Sequence, residues 1–373
     1  MMSVQTERKR NVNMDFLRII AMVMVTMLHA LAKSDLLPFM GREVSANGWI
    51  AWVLEVLSIA AVNIFMLISG YFLIISKFKV SRLLEIVFQT MFYLIGTFIL
   101  FWILGKFPAE DMTIYNLLHY FLPVHMATYW FISAYIIILL LLPLIVNGVY
   151  SMSEKQLQGV ILWMLLFTCV IKSVLPVRLE MDDKGYSFLW YLTLFLVGSY
   201  IRLYGFKIVK TAAKGWIVFG VSSFLILAEI FVLSQINVRT DRLKEMITVS
   251  LDYNHILVFC SALGIFAAFM HAKPLGEKFG RVVCLLSPYC LGVYLFQESP
   301  VVRYLWQDWF GLRESMGNPV PIFVLRVFGS VITMFVLGIC LDMIRTGLYR
   351  IITHLVYRRK KQHVGVECDS SGL

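Results

Sequence analysis

The stretch RNVNMDFLRIIAMVMVTMLH, residues 10–29, sets an aspartate, an arginine and a histidine in or beside an apolar run of membrane-spanning length. A charged side chain at the bilayer centre costs at least ~2.5–3.5 kcal/mol on insertion scales, so such groups are read first as functional. Arg18 and His29 are eleven residues apart. At the pitch of an α-helix they share nearly one face and lie about 16 Å apart along the axis. Asp15 falls near the same face, one turn before Arg18. A cation and an imidazole thus mark two points along one groove. The cation suits an anionic ligand, and the imidazole suits removal of a proton from a hydroxyl. Each residue has a plainer alternative: Arg18 snorkels to nearby headgroups, and His29 is a neutral core histidine bonded to a carbonyl.

Glu55, in the second apolar run, is the expected partner of His29. It falls about 8 Å below one bilayer boundary, while His29 lies about 22 Å from the other, so the two depths agree. A carboxylate on one imidazole nitrogen fixes the tautomer and raises basicity at the other. Asn63, Ser69 and Gly70 follow in VNIFMLISGYFLI, where Ser69-Gly70 also reads as a small-residue packing face. Lys77, Lys79 and Arg82 in SKFKVSR fit either the positive-inside bias or an anionic ligand such as a nucleotide phosphate.

These residues need a membrane scaffold, and the composition supplies one. Of 373 residues, 60% are hydrophobic and 15% charged, with a mean hydropathy of +0.79. A soluble globular protein is roughly 45–50% apolar and about 25% charged. The predicted class is an all-α polytopic transmembrane bundle. Ten apolar runs fall near 14–33, 50–75, 83–105, 129–149, 157–175, 186–204, 215–234, 253–271, 283–302 and 320–345. The second is overlong for a single straight span. With both termini placed in the cytoplasm, twenty Lys and Arg fall on the inner side and eleven on the outer. Arg18 and Arg326 lie within spans, which accounts for all 33. That bias predicts cytoplasmic termini. Arg18 inside the apolar run argues against a cleaved leader, despite the Ala30-Leu31-Ala32 triplet.

Residues 1–350 read as one integral membrane domain and 351–373 as a basic, then polar, cytoplasmic tail. The basic part suits a topology anchor on anionic lipid rather than nucleic acid. The six cysteines, including Cys368 in the tail, form no CxxC or Cys/His cluster, so no metal site is expected. His119, His125, His255, His271, His354 and His363 sit in loops, near span ends or in the tail.

Taken together, these stretches resemble the acyltransferase-3 family of integral membrane O-acyltransferases. Asp15-Phe16-Leu17-Arg18 followed by His29 matches the D-x-L-R-x10-H pattern, and NIFMLISGYFLI is similar to the F-F-x-x-S-G-x-L signature. YWFISAYIIILLLLPLI, beginning at Tyr129-Trp130, is similar to the W-F-x-x-A-Y...P stretch of members that modify surface polysaccharides. FLWYLTLFLVGSYIRLYG and LGVYLFQ fit later helices. The resemblance implies transfer of an acyl group, usually acetyl, from acetyl-CoA to a hydroxyl of a cell-surface polysaccharide or lipid-linked glycan. His29 would be catalytic, Arg18 would help hold the donor, and Lys79 and Arg82 would face the CoA phosphates at the R-x-x-R position. No permanently bound cofactor is implied. The expected location is a bacterial inner or plasma membrane. Three departures stand out: Lys79 replaces an arginine, Gln297 stands where many members have a histidine, and Asn63 replaces a common aspartate. Two rival readings are a flippase or transporter of a polyisoprenoid-linked sugar, and transfer of another acyl group such as succinyl. Inverted repeats or paired broken helices, the marks of many transporters, are not apparent in the sequence.

Overall fold

A computed structural model describes residues 10–41, 43–106, 113–175 and 183–369, with side chains through 351 and at 353 and 354. Arg8, Lys9, Arg42 and Arg178, and the side chains of Arg358, Arg359, Lys360, Lys361, His363 and Cys368, lie outside the described residues. The helices in chain order are α1 (Val12–Ala32), α2 (Ala46–Ser58), α3 (Ala61–Leu73), α4 (Val80–Ile103) and α5 (Ile114–Phe121). Next come α6 (Trp130–Ser151), α7 (Glu154–Leu165), α8 (Ile171–Val174), α9 (Phe188–Tyr204) and α10 (Ala212–Thr240). The last are α11 (Ile256–Met270), α12 (Glu277–Leu286), α13 (Cys290–Gln297), α14 (Trp306–Trp309) and α15 (Val320–Asp369). Among the described residues there is no β-strand.

Among the described residues, nine helical stretches are long and apolar enough to cross a bilayer, and the shorter apolar helix α9 occupies the place of the sixth run. The protein is therefore a multi-pass membrane protein. The overlong second run is not one straight rod: α2 and α3 are separated at Ile59–Ala60. Polar side chains start several helices by taking up backbone N–H groups that lack helical partners. Asn11 accepts from Met14 N at 3.2 Å, and Ser45 accepts from Gly48 N at 3.2 Å.

α1 is central, packing against α2, α3, α11, α12, α13 and α15. Beside it, α3 and α9 approach backbone to backbone. A Cβ on Gly70 would lie 2.0 Å from Phe195 O, and one on Gly198 would lie 2.3 Å from Leu67 O. Small residues permit this approach, the usual basis of close helix packing in lipid. Ser199 Oγ donates to Phe195 O at 2.8 Å and to Gly70 O at 3.3 Å across the seam. Asn63 is fully buried here: Nδ2 donates to Tyr253 O at 2.7 Å, and Oδ1 accepts from Trp190 Nε1 at 3.1 Å. With both ends of its amide engaged, Asn63 ties α3 to α9 and to the segment before α11.

Candidate active site

Five residues of α1 set the first wall of a cavity of about 330 Å³: Arg18, Met22, Val25, Leu28 and His29. Four of them, Arg18, Met22, Val25 and His29, follow i, i+4, i+7, i+11 spacing, one stripe of a helix. Ser69, Tyr135 and Cys290 lie in the opposing walls, contributed by α3, α6 and α13. Arg18 is the only residue of that lining with a permanent charge.

A second cavity of about 340 Å³ begins at the same histidine. It shares Leu28, His29, Trp130 and Tyr253 with the first, and adds Lys33, Glu55, Lys184, Asp252 and Glu298. Both volumes fall within the ~300–1,000 Å³ range of small-molecule sites. His29 therefore stands where an apolar passage and a charged one meet.

The end of α13 places a carboxylate on this histidine. Tyr129 Oη donates to Leu295 O at 2.6 Å, and Gln297 Nε2 donates to Thr26 Oγ1 at 3.3 Å, tying α13 to α6 and α1. Glu298 then sits with Oε1 3.3 Å from His29 Nδ1, close but off the angle of a hydrogen bond. The same oxygen pairs with Lys33, one turn beyond His29 on the same helical face. Arg303 closes the cluster: Nε and Nη2 donate to Glu298 O at 3.1 and 2.8 Å, and Nη2 also donates to Thr128 O at 2.9 Å. Burial of the Glu298 carboxylate is offset by the Lys33 ammonium and the Arg303 guanidinium beside it.

The expected His29–Glu55 pairing is corrected in its geometry. Glu55 is buried in the wall of the charged cavity, but Glu298 is the carboxylate set against His29 Nδ1, and Glu55 Oε2 has no hydrogen-bond partner. Depth along a helix fixes one coordinate and leaves the facing direction free.

The remaining expected residues divide between wall and scaffold. Asp15 pairs with Arg18 Nη1 at 2.8 Å and with Arg10 Nε at 2.5 Å. Arg10 also donates to Cys284 O and Ser287 Oγ, each at 3.0 Å, so Asp15 and Arg10 clamp α1 to α12 near the cavity's Arg18 end. Ser69 lines the apolar cavity, and its hydroxyl donates to Phe65 O of its own helix at 2.7 Å. Trp130 faces both cavities, nearly parallel to Tyr191 and Tyr253 at 5.8 and 5.9 Å between ring centroids. Lys79 and Arg82 do not enter the Arg18 cavity. They flank a crevice with no room for a water, where Arg82 Nη1 is buried without a partner. Ile86, one turn beyond Arg82, does line the cavity.

Glu298, Lys33 and Arg303 were absent from the expected site. Lys33 carried a signal, its i+4 spacing from His29. Glu298 had none that links position 298 to position 29. Among the described residues, no group of three or more His, Cys, Asp or Glu side chains is placed to hold a metal ion.

His29 thus stands at the junction of two cavities, one apolar and one charged, in a multi-pass helical protein. Residues 11–339 match the acyltransferase-3 model, described as an acyltransferase domain, and the chain belongs to that family. It is a membrane acyltransferase. No curated protein and no solved structure matches it.

Proposed function

We propose that the protein moves an acetyl group from acetyl-CoA to a hydroxyl of a cell-surface polysaccharide or its lipid-linked precursor. The observation that carries this reading is the meeting of two unlike cavities at His29. The thioester arm enters at the Arg18 end, where the guanidinium and the nearby Arg82 attract its phosphates. The basic-residue bias supports placing that end in the cytoplasm, and the membrane we propose is a bacterial plasma membrane. The sugar enters from the Glu298 end and rests against Trp130 and Tyr253. Glu55 offers a carboxyl to its hydroxyl groups.

With Nδ1 turned toward Glu298, Nε2 of His29 takes the proton of the attacking hydroxyl. The oxygen adds to the thioester carbonyl, the C–S bond breaks, and the imidazolium returns its proton to the departing thiolate. One ester bond replaces one thioester, with no net proton change. Glu298 holds the ring and stabilises its positive charge during transfer.

The test is transfer of labelled acetyl from acetyl-CoA to endogenous glycan in membranes carrying the protein or its His29→Ala variant. Loss of a positioned general base predicts a fall of about 10²–10⁴-fold, at equal expression. Unchanged transfer in the variant would sink the mechanism. Sugar translocation without acetyl transfer would favour the flippase, for which a continuous polar path is the structural requirement.

A further inference from the structure

A third cavity, of about 400 Å³, adjoins the reactive cluster on the far side of Arg303 and belongs to neither passage. Its lining includes Lys106, Asn116, His119, Thr128, Arg303 and Tyr304, and among the described residues no aspartate or glutamate. We infer that this cavity is a subsite for the oxyanion of an acidic sugar acceptor, a carboxylate or a phosphate. The inference rests on the acyl-transfer reading, because it takes the acceptor to enter at the Glu298 end.

Two cationic donors, Arg303 and Lys106, converge there beside His119. Arg303 is fixed by its Nε and Nη2 bonds to Glu298 O and Thr128 O, and Nη1 makes no hydrogen bond among the described residues. A guanidinium held this way is pre-organised and loses little entropy on meeting an anion. Lys106 is exposed, follows the end of α4, and makes no ion pair among the described residues. His119 is oriented by Thr128. The Thr128 hydroxyl donates to His119 O at 2.8 Å, so at 3.1 Å His119 Nδ1 must be the donor to Thr128 Oγ1. Its Nε2 therefore becomes a second donor whenever the ring is protonated.

Among the described residues the balance of charge in this lining is positive. Glu298 lies beside it, with Oε2 4.0 Å from Arg303 Nε, and is already matched by Lys33. Lys33 in turn lies over the Tyr304 ring, 5.3 Å from its centroid, so the wall of this cavity touches the cluster around His29. An anion held beside Arg303 would thus sit one residue away from the carboxylate that faces the catalytic imidazole. A uronate or a sugar phosphate docked there presents its neighbouring hydroxyl groups toward His29, whereas a neutral sugar leaves the cationic cavity unused.

The test is equilibrium binding to the full-length purified protein in detergent without acetyl-CoA. The probes are methyl β-D-glucuronide, glucose 1-phosphate and the neutral methyl β-D-glucoside. The proposal expects at least one anionic probe to bind more tightly than the neutral one, and weakening in added salt. Reversing an attractive exposed charge in Lys106→Glu should weaken that binding roughly tenfold, and Lys106→Gln by less. Arg18→Gln, at the donor end, and the inactive His29→Ala should bind as the parent does. The carboxylate and phosphate probes separate the two sources of the oxyanion. Equal binding of neutral and anionic probes, unchanged binding in Lys106→Glu, or loss in Arg18→Gln overturns the subsite. Because no turnover is measured, failure of the acyl-transfer reading would appear separately, as unaltered transfer in His29→Ala.

Discussion

The two cavities that meet at His29 differ little in volume, about 330 and 340 Å³, and share four residues. Their walls could hardly be less alike. One holds Arg18 and otherwise apolar, aromatic or small side chains; the other carries Lys33, Glu55, Lys184, Asp252 and Glu298. In the proposed reaction, the difference suits what each cavity would desolvate. A long thioester arm gains from contact with hydrocarbon and needs charge only at its phosphate end. A sugar is hydroxyl-rich and needs partners throughout, because every buried polar group left unpaired costs about 1–3 kcal/mol. One imidazole can therefore serve both only at the border between them.

Three substitutions break or sharpen this contrast. The largest effect is expected from Glu298→Gln, which keeps the shape and can still accept from Lys33 but removes the negative charge facing His29. It should lower kcat by roughly 10²-fold, leave the KM for the donor unchanged, and leave protein yield intact. A drop in yield alone would recast Glu298 as purely structural. Next, Arg18→Gln should raise the KM for acetyl-CoA about tenfold, the loss of one charge-assisted contact, with kcat retained. A change in acceptor KM instead would place the sugar in the wrong passage. The smallest effect is expected from Glu55→Gln. It should raise the acceptor KM about fivefold, a single hydrogen bond's worth, with kcat within about twofold of the parent. A fall in kcat matching that of Glu298→Gln would make Glu55 the true partner of His29.

The bundle was readable in the sequence because lipid imposes one rule on every span: a long apolar run with its backbone satisfied internally. The sixth run predicted over 186–204 is the buried α9, and the first run, 14–33, is α1. The break at Ile59–Ala60 was visible only as excess length. Within the site, helical spacing sufficed for residues on one element, so Arg18 and His29 could be set on one wall from their separation. Contacts between elements were not accessible this way. Glu55 has the right depth and lines the right cavity, yet Glu298 faces the ring, because the azimuth of α13 depends on its packing with α1, α4 and α15. Asn63 stood out in the sequence as a replacement for a common aspartate, and its buried amide braces Trp190 and Tyr253, a task for which a donor and an acceptor on one side chain are needed.

The helix pressed against Gly70 has a further effect on the journey of the acyl group. α9 has 17 residues, and at ~1.5 Å per residue such a rod measures about 26 Å, some 4 Å short of ordinary hydrocarbon thickness. The segment that leads into it carries Tyr186 in the wall of the charged cavity. A span that short is accommodated by local thinning of the bilayer around it. For the proposed reaction, such thinning would shorten the path the acyl group has to cover.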